Sequence, residues 1–138
     1  MPAKDFYHDT VRIALEKDGW TITEDPLTLS IGSRSVYVDL GARKLLAANK
    51  GELQIAVEIK SFIGNSPVRE LETALGQYLL YSQILEEQKS DRVLYLAISQ
   101  TIYMDLFSEA IGEMIVRKNH LNLVIFNVQN KEITKWIT

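Results

Sequence analysis

With 138 residues, 46% hydrophobic and 24% charged, the chain has the composition of a globular protein able to bury a substantial core, which excludes disorder as its working state. It has no cysteine, so disulfides and cysteine-ligated zinc are excluded, and a formal net charge of −3 gives no global pull toward nucleic acid. The start, MPAKDFYHDT, lacks the apolar run of a signal peptide and no stretch reaches membrane-spanning length, so a cytoplasmic protein with no membrane role is expected.

Residues 5–18 read as a helix, because Tyr7, Val11, Ala14 and Leu15 recur at helical spacing and Gly19 can end it. A short strand at 20–23 follows, then a turn at Asp25-Pro26, where proline pushes the preceding residue out of the helical region. Residues 27–31 form another short strand, closed by Gly32-Ser33. A strand over 34–40 is broken by Gly41; residues 43–48 fit either a strand or a short helix. After a turn at Asn49-Lys50-Gly51, residues 53–62 form a long strand, antiparallel to 34–40 at the centre of a sheet.

Ser66 and Pro67 suit the cap and first turn of a long helix that ends near Gln88. The run DRVLYLAIS, 91–99, is nearly all apolar and reads as a buried strand parallel to a neighbour. A helix over 101–118 and strands over 121–127 and 132–137 complete the chain, the last two joined by a turn at 129–131. The order is that of an α/β protein with a mixed sheet, as a single domain over 1–138. Trp20 and Trp136 are expected in the core or an interface.

The chemistry concentrates in 36–62, VYVDLGARKLLAANKGELQIAVEIKSF. Strand alternation puts Tyr37 and Asp39 on one face, and Ala56, Glu58 and Lys60 on the face opposite Ile55, Val57 and Ile59. An acid and a base two residues apart thus emerge from an apolar strand, which is unfavourable unless they are paired or used. If the two strands pair, Asp39 and Glu58, nineteen positions apart (58 − 39), can converge. Two carboxylates and a backbone carbonyl such as that of Ile59 are hard oxygen donors suited to magnesium or manganese. A lysine beside such a cation can orient water or hold a phosphate oxygen, the set that phosphodiester hydrolysis requires.

The ordinary alternative is a turn at Asp39-Gly41 and an exposed Glu58–Lys60 ion pair. Gln77 and Tyr81, four apart on the long helix, add polar groups on a face distinct from its apolar one. DNA contact would need a local basic patch such as Arg34, Arg43, Lys44 and Arg69.

The pattern D…E-x-K resembles the PD-(D/E)XK nuclease superfamily, and Gln77…Tyr81 is similar to its Q-x-x-x-Y element. More narrowly, MPAKD, KDGWTIT-DPL, YVDLGA, AVEIKSFIG and TALGQYLLY resemble the XisH family along essentially the whole chain. The resemblance implies a restriction-endonuclease-like core, a central mixed β-sheet flanked by helices. It implies a cyanobacterial factor controlling fdxN element excision, acting with a XisI-like protein, and a metal-dependent endonuclease acting in DNA rearrangement. Asp39, Glu58 and Lys60 would be catalytic, supported by Gln77 and Tyr81, with Asp39 and Glu58 binding Mg2+ or Mn2+.

Where the superfamily's first helix carries a glutamate, this chain has His8, a further candidate metal ligand that suits transition metals better than magnesium, or else a histidine in a local hydrogen bond. Glu16 is expected to pair with Arg12 in solvent. Expected partners are DNA, the XisI-like protein and further copies of the chain. The contrasting expectation is a catalytically inactive scaffold that binds XisI or the recombinase.

Overall fold

The structure, a computed structural model, describes residues 4–47 and 51–138; the expected turn at 49–51 lies partly outside them. Helix α1, His8–Lys17, buries Val11, Ala14 and Leu15 on one stripe. It begins three residues later than its periodicity suggests because Asp5 stands outside it, its carboxylate accepting the Tyr7 N–H at 2.9 Å. Gly19, at φ +94°, takes the left-handed turn that closes the helix.

Six strands form one mixed sheet and two form a separate ribbon. The ribbon is β2, Leu27–Ile31, paired antiparallel with β3, Arg34–Val38. The sheet contains β1 (Thr21–Glu24), β4 (Leu40–Leu45), β5 (Glu52–Ile59), β6 (Val93–Ser99), β7 (Leu123–Asn127) and β8 (Glu132–Ile137), in the order β1-β4-β5-β6-β7-β8. β5, β6 and β7 run parallel; the outer pairings are antiparallel.

The expected strand over 34–40 is therefore two strands in two sheets, and its break falls at Asp39 rather than Gly41. Gly41 lies inside β4 opposite Ala56. A Cβ there would sit 2.5 Å from Glu24 Oε2 and 2.9 Å from Arg92 Nη1, so glycine leaves room for the Glu24–Arg92 ion pair across the strand. The ambiguous segment after it is strand through Leu45.

The two faces of the sheet carry separate cores, as strand alternation requires. On one, Ile55, Val57 and Ile59 pack with Leu40, Ala97, Phe126 and α1. On the other, Ala56, Leu94, Leu96 and Ile98 pack against the ribbon and α2, Pro67–Glu87, whose N-cap Ser66 accepts the Arg69 N–H at 3.3 Å. Trp20 is buried, and Trp136 packs against it with ring centroids 5.6 Å apart.

The helix expected over 101–118 is broken into α3, Gln100–Asp105, a 3₁₀ turn, Leu106–Ser108, and α4, Ala110–Asn119. Leu106 and Phe107 turn into the core at the break, and Ser108 Oγ donates back to the Met104 and Asp105 carbonyls. Gly112 permits the fold-back, since a Cβ would lie 2.5 Å from the Leu106 carbonyl oxygen. The expected Arg12–Glu16 pair gives way to Arg12 binding Asp25 at 2.6 Å. Among the described residues, no helix is long and apolar enough to cross a membrane.

Candidate active site

The chain leaves the ribbon and enters the sheet at Asp39. Because Leu40 pairs with Val57, Asp39 stands opposite Glu58, one step beyond the last paired residues. At this point the backbone ladder gives out and side chains take its place. Glu58 Oε1 accepts the Asp39 N–H at 3.3 Å, and Asp39 Oδ2 accepts the Ile59 N–H at 2.7 Å. The two acids thus fix one another's strand.

They enclose a cleft of about 150 Å3 with Asp5, Tyr37, Ile59, Lys60, Gln77 and Tyr81. Lys60 lies just past β5, held by its N–H to the Ala97 carbonyl at 3.1 Å. The next amide, that of Ser61, donates to Asp5 Oδ2 at 3.0 Å. Asp5 therefore ties the segment behind Lys60 to the start of α1. Sequence reasoning missed it, because nothing in the MPAKD segment points across 56 residues to Ser61.

Gln77 and Tyr81 reach the cleft, but from the buried side of α2. The expectation of a separate polar helix face is corrected: Tyr81 is buried in the core with Ala74 and Tyr78. Gln77 Oε1 is buried without a hydrogen-bond partner among the described residues, an unfavourable state for an amide oxygen lining an acidic cleft unless a cation or water meets it.

Burial first, and then the charge of Asp39, pushes the Glu58 carboxyl from an ordinary 4.5 up to about 8, with the Lys60 ammonium pulling the other way. Burial also raises Asp39, against the opposing hydrogen bond from Ile59. Near neutral pH the pair therefore retains a proton unless a cation replaces it. Burial, followed by the charges of Glu58 and Asp39, raises the Tyr81 phenol, which stays a hydrogen-bond donor.

The donor set fits a hard divalent cation: two carboxylates and, among the described residues, an unpartnered amide oxygen. Among the described residues, no group of three or more His, Cys, Asp or Glu side chains is placed to hold a metal ion, so substrate and water oxygens would complete the shell. His8 does not line the cleft. Its Nε2 lies 2.7 Å from Asp25 Oδ1, while Arg12 binds the other oxygen, Oδ2, and its Nδ1 is buried without a partner among the described residues. Burial works to raise the Asp25 carboxyl, but hydrogen bonds from Arg12 and His8 outweigh it and hold Asp25 below the usual range.

Of the expected basic patch, Arg43 lies 3.7 Å from Glu52, and Lys44 donates to the Asp18 carbonyl at 2.7 Å. Both belong to the β1–β4 side of the sheet, away from the cleft.

No curated protein matches the chain. The structure is similar to that of an XisH family protein from Nostoc punctiforme, with a TM-score of 0.88 and 38% identity over 97% of this chain and 100% of that one. It is also similar to an fdxN element excision controlling factor protein from Anabaena variabilis, with a TM-score of 0.85 and 38% identity over 96% of this chain and 98% of that one. The family profile described as XisH protein matches residues 1–134. The α/β architecture, with its central mixed sheet flanked by helices, is thus shared along nearly the whole chain, and the chain belongs to the XisH family.

Proposed function

We propose that the chain is a divalent-cation-dependent DNA endonuclease of the PD-(D/E)XK kind, acting in control of fdxN element excision together with a XisI-like protein. The observation that carries this reading is the convergence of Asp39 and Glu58 across the β4–β5 junction, with Lys60 beside them. Magnesium or manganese at this pair would polarise a phosphodiester and acidify water. The chain's own residues supply the rest. Asp39 and Glu58 would hold the cation, releasing their retained proton to solvent. Lys60 bears on a phosphate oxygen or the attacking water, and Gln77 and Tyr81 orient oxygen ligands in the cleft. At about 150 Å3 the cleft accommodates an ion, water and one phosphate group, and is smaller than the roughly 300–1,000 Å3 of pockets that enclose whole ligands.

The test is cleavage of plasmid and oligonucleotide DNA with magnesium or manganese by wild type, Glu58→Ala and Lys60→Ala. Wild-type cutting lost in both variants is expected. Equal cutting by all three, or none by the folded wild type with either cation, overturns the reading.

A non-catalytic scaffold is favoured by one observation. Two of the four residues of the expected basic patch, Arg43 and Lys44, are engaged by Glu52 and the Asp18 carbonyl. On that reading, Asp39→Ala and Glu58→Ala leave both XisI binding and excision intact.

A further inference from the structure

A second cavity, of about 430 Å3, opens at the carboxyl ends of β5, β6 and β7, where crevices of α/β sheets commonly receive ligands. It adjoins the acidic cleft through Lys60-Ser61: Lys60 lines the cleft, Ser61 lines the cavity, and Asp5 in the cleft bonds the amides of Ser61 and Tyr7, both cavity residues. Just beyond, the chain turns at Phe62, itself a cavity residue, at φ 55°, a left-handed backbone that bulky residues seldom adopt.

We infer that this cavity binds an unpaired nucleobase of the strand whose phosphate occupies the acidic cleft. The inference rests on the nuclease reading of that cleft and adds the chemistry of the neighbouring group.

The lining defines the ligand class. Among the described residues that form it, none is charged, so it offers no counter-charge to a second phosphate or cation. Its polar side chains are uncharged donors and acceptors, Ser61, Ser99, Gln100, Thr101, Asn127 and Gln129, of which Asn127 Oδ1 already accepts the Asn130 N–H at 2.8 Å. Side-chain amides present the paired donor and acceptor that match the edge of a base. Its apolar walls are held in place. Tyr7 is fixed edge-on to Phe126 with centroids 5.7 Å apart, and Phe62 edge-on to Phe107 at 5.8 Å. At the mouth, Ile63 and Met104 are 60% and 67% exposed, a large apolar surface to leave in water beside a polar pocket. A planar, uncharged, hydrogen-bonding ring satisfies all three features. Stacking on an aromatic or thioether wall tolerates any base, while the amides provide preference among them.

The test compares binding of a short oligothymidylate with that of the same chain made wholly abasic, by fluorescence anisotropy with calcium in place of magnesium. Wild type is expected to prefer the base-bearing strand about tenfold, the order of one stacked base. Met104→Ala and the double variant Gln100→Ala/Gln129→Ala change exposed side chains and should bring that preference close to unity without altering affinity for the abasic chain.

Equal wild-type affinity for the two strands, or a preference that survives both variants, overturns the inference. Manganese-dependent duplex cleavage, measured in parallel, separates the two failures. Cutting without base preference removes the cavity's role alone; the absence of both binding and cutting removes the nuclease reading and the inference with it.

Discussion

Replacing Glu58 by glutamine removes one titrating proton from the most perturbed group in the cleft. In the fold its carboxyl is pushed to about 8, against an ordinary 4.5. A carboxyl raised in this way favours folding fully below about 4.5, and that contribution is lost as pH rises through about 8. At about 1.4 kcal/mol per pH unit, the interval sets an upper bound of about 5 kcal/mol for the loss. For a chain of this size that corresponds to a fall in Tm of roughly 10 °C or more.

Glutamine keeps the shape and cannot ionise. In chelator, the stability difference between wild type and Glu58→Gln should therefore move in favour of the variant as pH rises from 5 to about 9, by a few kcal/mol. Magnesium or manganese should restore wild type most strongly at the alkaline end, where the pair is ionised, and leave Glu58→Gln almost unmoved. Urea unfolding at several pH values, with and without the cation, measures both. Parallel pH profiles for the two proteins, or an equal cation effect on both, would refute the account of a buried proton exchangeable for metal.

Lys60→Ala should lower manganese-dependent cleavage by about 10²–10⁴-fold while leaving the fold intact, because Lys60 is only partly buried and only its backbone amide is bonded to the sheet; circular dichroism and single-turnover cleavage check the two parts. Gly112→Ala drives a methyl to within 2.5 Å of the Leu106 carbonyl oxygen and 2.6 Å of the Phe107 Cα, and should lower stability by about 1–3 kcal/mol, read as a shifted urea midpoint with unchanged slope. Asp25→Asn removes the anion shared by His8 and Arg12 and should destabilise by about 1–3 kcal/mol at neutral pH. Because hydrogen bonds hold Asp25 below the usual range, wild type keeps this contribution above an ordinary carboxylate pKa and loses it as pH falls through the lowered value; the two melting curves should approach each other in acid.

The alternation of Ile55, Val57 and Ile59 against Ala56 and Glu58 was legible in the sequence, since a strand of period two has only two faces to assign. So was the parallel burial of 93–99, whose unbroken apolar run fits a strand covered on both sides. The break at Asp39 was not. Gly41 carries the stronger local signal, and only the tertiary approach of Glu24 and Arg92 explains a glycine that continues its strand. The division of 101–118 was hidden for a related reason: its apolar residues keep helical spacing, while the fold-back depends on the Gly112 contact. Gln77 and Tyr81 were legible as a pair but not by face, because spacing places them together without saying that both point inward. Asp5 had no local signature at all; its role lies in a contact with Ser61.

The paired amide contacts of Asp39 and Glu58 make each acid the scaffold of the other. Damage at this site is therefore shared. Removing one carboxylate also loosens the backbone that aims its companion at the end of the β4–β5 ladder, so the double variant Asp39→Ala/Glu58→Ala should lose little more cation affinity than either single change, with a coupling energy of about 1–3 kcal/mol. A site of this kind behaves as one unit: both acids are aimed together, or neither is.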